Sequence, residues 1–109
     1  MVTFDCTNAG TLARWWAQAL DVEIAADYGE FVMVAAGPLH LGFQNVPESK
    51  QVKNRVHLDF EGADYDADIK RLVELGAEAI GGGSAPGGFA WTTLRDPEGN
   101  EFDVANGAD

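Results

Sequence analysis

The sequence predicts an α+β domain made of two strand–helix–strand–strand–strand modules. Three observations predict it. Arg55-Val56-His57-Leu58-Asp59-Phe60 alternates apolar and polar residues, the mark of a strand with one apolar face. Leu12, Trp15, Trp16, Ala19 and Leu20 fall at i, i+3, i+4, i+7 and i+8, the stripe of an amphipathic helix. The order of elements after residue 55 then repeats the order before residue 48, at an offset of roughly 54 residues.

In the first module, about residues 1–48, Val2-Thr3-Phe4-Asp5 alternates like Val56-His57-Leu58-Asp59. Asn8 is placed to cap the following helix by accepting an amide hydrogen bond, and the helix is expected to end near Leu20-Asp21. Val22–Ala26 reads as a strand, Tyr28-Gly29-Glu30 as a turn and Glu30–Ala36 as an apolar strand. Gly37-Pro38 breaks that strand, and Leu39–Val46 is the next one. A polar linker over about 49–54 leads into the second module, about 55–109. Gly62–Gly76 reads as its helix, with Tyr65, Ile69, Leu72 and Val73 as the apolar face. Asp64, Asp66 and Asp68 suit the helix start, and Gly76 suits a left-handed stop. A short strand at Glu78-Ala79-Ile80 is followed by a glycine-rich loop, Gly81–Gly88, then strands Phe89–Arg95 and Glu101–Ala105 around the turn Asp96-Pro97-Glu98-Gly99-Asn100.

With 109 residues, 46% of them hydrophobic, the chain suits a single domain with its own core. The net charge of −11 argues against nucleic acid and anionic lipid as partners. No apolar run is long enough to span a bilayer, and no signal peptide is visible at the N-terminus. Cys6 is the single cysteine, so no intrachain disulfide forms, which fits a cytoplasmic protein. The basic residues Lys50, Lys53 and Arg55 read as a solvated linker.

No serine–histidine–aspartate or cysteine–histidine arrangement is present in the pattern. Gly81–Gly88 lacks the Gly-Lys-Ser/Thr ending of a phosphate-binding loop. The candidate chemistry lies on the second module's strands. The two-residue strand period places Glu101 on the face of Asp103, and two neighbouring carboxylates raise each other's proton affinity, which suits a general base. Trp91 and Phe43 are candidate aromatic walls for a ligand, with core packing as the competing role.

Several stretches carry a resemblance to a known family. They are Asn54-Arg55-Val56-His57-Leu58-Asp59, Leu72-Val73-Glu74-Leu75-Gly76-Ala77, and Trp91-Thr92-Thr93-Leu94-Arg95-Asp96-Pro97-Glu98-Gly99-Asn100-Glu101-Phe102. Phe43-Gln44-Asn45-Val46-Pro47-Glu48 adds to them. Over almost its whole length the chain resembles the vicinal-oxygen-chelate superfamily of glyoxalases, bleomycin-resistance proteins and dioxygenases, and in particular its short glyoxalase-like members. The resemblance implies that each module curls into a half barrel, that the two form a cup for a small molecule, and that the protein is a homodimer. It implies a divalent metal held from the first and last strands of each module. Residue by residue, His57 and Asp103 match second-module ligand positions. In the first module Thr3 stands where a His or Gln is expected, and the last strand offers His40, Gly42 and Gln44. The expected ligand-binding set is His57, Asp59, Gln44, Phe43, Trp91, Glu101 and Asp103, with His57, Asp59, Glu101 and Asp103 on the concave face. Val56, Leu58, Phe60, Phe102 and Val104 are expected to face the helices. Two functions follow: a cup that sequesters a small organic molecule without chemistry, or a metal-dependent lyase, isomerase or dioxygenase acting on vicinal oxygens.

Overall fold

In the computed structural model, which describes residues 1–106, the chain runs β1 (Val2–Cys6), α1 (Ala9–Leu20), β2 (Ile24–Asp27), β3 (Phe31–Ala36), β4 (Leu39–Asn45), β5 (Asp59–Glu61), α2 (Tyr65–Leu75), β6 (Glu78–Ala85), β7 (Phe89–Arg95) and β8 (Glu101–Ala105). This is the α+β repeat read from the sequence. The chain divides between Gln51 and Val52 into two units, each with one helix and one four-stranded sheet.

In the first unit the strand order is β1-β4-β3-β2, with β1 parallel to β4 and the other pairs antiparallel. Asn8 is the N-cap of α1, and its side chain accepts from the Thr11 amide at 3.0 Å. Asp21 closes the helix in the left-handed region, at φ 54°. Leu12, Trp15, Trp16 and Ala19 are buried, and so are Val32, Val34, Leu41 and Phe43 of the sheet that the helix covers. Phe4 joins them, with its ring centroid 5.5 Å from Trp16 and 5.0 Å from Phe43. Each large apolar side chain fully buried in this way contributes about 1.5–3 kcal/mol. The tryptophan pair is therefore spent on the unit's own core.

The second unit repeats the order as β5-β8-β7-β6. Asp64 caps α2 by accepting from the Ala67 amide, and Gly76 ends it at φ 117°. Of the expected stripe Leu72 is buried, while Val73 is exposed. The turn after β7 is held by the buried Asp96, whose carboxylate accepts from the amides of Glu98 and Asn100.

Two segments differ from the sequence reading. The strand expected from Arg55 begins only at Asp59, and Val56 is 71% exposed rather than facing a helix. The reason is Asn54. Its side-chain amide donates to the Glu101 carbonyl and accepts from the Glu101 amide, so it fills the slot on β8 that a longer β5 would occupy. The glycine-rich segment is also not a loop over its whole length. Gly81–Ala85 continue β6 and pair with β7 in the register Gly81↔Thr93, Gly83↔Trp91 and Ala85↔Phe89. The chain reverses only at 86–88, where Gly87 and Gly88 take positive φ values that other residues rarely adopt.

Candidate functional site

The site is built on the face of the second sheet that points away from Phe102 and Val104. Side chains alternate along β8, so burying Phe102 and Val104 turns Asp103 and Ala105 to the other side. The parallel register sets Asp59 beside Asp103, and the antiparallel register sets Thr93 on its other flank. Trp91 pairs with Ala105 and Glu61 with Ala105 from opposite sides. These strands form a cleft of about 440 Å³ lined by Asp59, Glu61, Phe89, Trp91, Asp103 and Ala105. Phe89 and Trp91, two residues apart on β7, stand with ring centroids 5.9 Å apart. The Trp91 indole lies across Gly83 of the neighbouring strand, where a Cβ would come within 2.6 Å of the ring. That strand position must be glycine for the ring to lie there.

His57 precedes β5 and reaches the rim of this face. Its Nδ1 stands 2.8 Å from Asp59 Oδ1 and 3.7 Å from Asp103 Oδ2. Thr93 Oγ1 donates to the other oxygen of Asp103 at 2.6 Å, which fixes the carboxylate's orientation. Two carboxylates on adjacent strands repel one another, and the imidazole of His57 stands between them at the rim. One donor atom from each of His57, Asp59 and Asp103 lies within 4.8 Å of the other two. One imidazole nitrogen and two carboxylate oxygens form a donor set suited to a divalent first-row cation. The three residues therefore fit such a metal.

The other expected site residues lie elsewhere. Glu101 shares the face of Asp103, but its carboxylate is paired with Lys53 and is only 10% exposed. The carboxylate beside Asp103 at the site is Asp59. Lys53 is correspondingly part of an ion pair and not a bare linker residue. Phe43 is fully buried against Phe4 in the core of the first unit and presents no ring surface to a ligand. The alternation that turns Leu41 and Phe43 inward leaves Gln44 exposed on the opposite face of β4. Glu61, Phe89 and Ala105 also line the cleft and Thr93 orients Asp103, though none of the four is among the sequence candidates. Each sits at a two-residue spacing from a residue that was named, and that spacing was the available signal.

Matching the registers of the two sheets shows how the units have diverged. Thr3 pairs with Gly42 and Gly42 with Met33, just as Asp59 pairs with Asp103 and Asp103 with Thr93. The structural counterpart of Thr3 is thus Asp59, two residues beyond the His57 expected from sequence. At the two positions that carry carboxylates in the second unit, the first carries a hydroxyl and a glycine. The space above Gly42 is filled by the Phe31 ring, Thr3 Oγ1 and the Met1 sulfur.

Comparison with known proteins places these features in context. A family model described as a glyoxalase-like domain matches residues 1–105. No curated protein matches the chain. Among solved structures, the chain is similar to a glyoxalase/bleomycin resistance protein/dioxygenase family enzyme from Burkholderia phytofirmans, with 17% identity, 96% of this chain and 94% of that one covered, and a TM-score of 0.79. It is similar to a lactoylglutathione lyase from Agrobacterium tumefaciens at 17% identity, 97% and 90% coverage and a TM-score of 0.75. It is also similar to a fosfomycin resistance protein from Listeria monocytogenes, solved with manganese(II) and a dihydroxypropylphosphonic acid, at 15% identity, 97% and 86% coverage and a TM-score of 0.83. At these identities the three structures share a fold with this chain.

Proposed function

The chain belongs to the glyoxalase-like domain family of the vicinal-oxygen-chelate superfamily, and from that premise we propose that it binds and sequesters a small organic molecule in the cleft of its second unit. One observation carries the reading: the Phe89–Trp91 wall and the carboxylates of Asp59, Glu61 and Asp103 share one cleft of about 440 Å³. Small-molecule sites typically measure roughly 300–1,000 Å³ and combine apolar walls with a few placed polar groups. The rings take the flat apolar part of the ligand, and the carboxylates orient its polar part. Sequestration is put first because the rings and carboxylates of the cleft suffice for binding, whereas turnover calls for a metal as well.

A second reading rests on the His57, Asp59 and Asp103 cluster. A divalent metal held there would act as a Lewis acid toward an oxygen of the bound molecule. The chain's own part is to supply the three donors, to hold Asp103 through Thr93, and to seat the organic portion against Trp91.

The test is a panel of small organic molecules titrated into metal-free and manganese-loaded protein, followed through the Trp91 indole signal. Binding without metal, with the ligand recovered unchanged, supports sequestration. Conversion of a ligand only in the loaded protein supports the second reading. A Trp91 signal that no compound moves in either form rejects both.

A further inference from the structure

We infer that the cleft selects an organic cation: an ammonium or amidinium group carried on a flat apolar body. This rests on the reading of the cleft as a ligand site and names its ligand class. The lining residues comprise three carboxylates, two aromatic rings and one alanine, with no basic residue among them. The nearby cations are engaged elsewhere: Lys53 with Glu101 and Arg95 with Glu78. The imidazole of His57 already faces Asp59 and Asp103 at the rim. An anionic ligand would meet the carboxylates of Asp59, Glu61 and Asp103 with no basic lining residue to balance them.

Carboxylates alone would serve any cation. The indole beside them selects an organic one, because ring faces attract a weakly hydrated cation and its apolar substituents together. Trp91 is held in that role by Gly83, across which its ring lies. The net charge of −11 acts in the same direction by raising the local concentration of cations.

Benzyltrimethylammonium, benzyl alcohol and phenylacetate present the same ring with a positive, neutral and negative group. Each is titrated into the full chain in the presence of a chelator. The readout is the Trp91 indole proton signal, identified by its loss in Trp91→Phe. The cation is expected to bind at least about tenfold more tightly than either of the others. The preference should shrink in high salt and vanish in the Asp59→Asn, Asp103→Asn double variant. Equal or tighter binding of phenylacetate or benzyl alcohol overturns the cation assignment and leaves the cleft as a ligand site. A Trp91 signal unmoved by all three overturns the assignment together with the cleft reading.

Discussion

Replacing Gly83 with alanine should reshape the cleft without unfolding the protein. A Cβ at Gly83 would stand 2.6 Å from Cζ2, 2.8 Å from Cη2 and 3.2 Å from Cε2 of Trp91. Carbon atoms in contact settle about 3.5–4.0 Å apart, so the ring edge must retreat by about 1 Å. Gly83 does not use a positive φ, so alanine brings no backbone strain there. Trp91 is half-buried, and its ring edge can swing toward the cleft. The expected cost in stability is therefore within about 1 kcal/mol. Affinity for a cleft ligand should fall roughly tenfold, the effect of losing about 1.4 kcal/mol of ring contact. Gly81→Ala is the matched control on the same strand, because a Cβ there meets nothing within 4 Å. It should leave binding alone and, by restricting the unfolded chain, raise stability by about 0.4–1 kcal/mol. The assays are urea unfolding for stability and the Trp91 indole signal for ring position and affinity. If Gly83→Ala leaves that signal and the affinity unchanged, or if Gly81→Ala shifts them equally, the account of how Trp91 is positioned is refuted.

Two further outcomes follow from the same geometry. Phe43→Ala removes a fully buried ring from the first unit's core and should cost about 3–5 kcal/mol in urea unfolding; a cost near zero would contradict its placement in the core. Thr93→Val deletes the hydroxyl that orients Asp103 and should weaken manganese binding about 10–100-fold by calorimetry, with the fold retained by circular dichroism; unchanged affinity would show that Asp103 needs no such support.

Much of the fold was legible because its signals are local. Asn8 and Gly76 mark helix ends through their own backbone chemistry, and β7 and β8 have the bounds that alternation and the Asp96-Pro97-Glu98-Gly99-Asn100 turn imply. What failed depended on partners distant in sequence. Val56-His57-Leu58 has a strand's pattern, but Asn54 occupies the backbone of Glu101 and the strand starts later. Gly81–Ala85 lack a strand's composition, yet they pair through backbone groups that every residue possesses. Phe43 could have faced either way until the register with Val32 settled that it joins the helix-facing side. The same limit applied to the site. His57 and Asp103 were named from a resemblance, whereas bringing Asp59 beside Asp103 required the parallel register of β5 on β8.

The most direct test of the central claim is amide chemical-shift mapping of nitrogen-labelled protein with a compound that binds it. The account predicts that the largest shifts fall on Asp59–Glu61, Phe89–Trp91 and Asp103–Ala105, with the Trp91 indole among them, and that Trp15 and Trp16 stay still. Shifts centred instead on the first unit, around Thr3, Phe31 and Gly42, would contradict it.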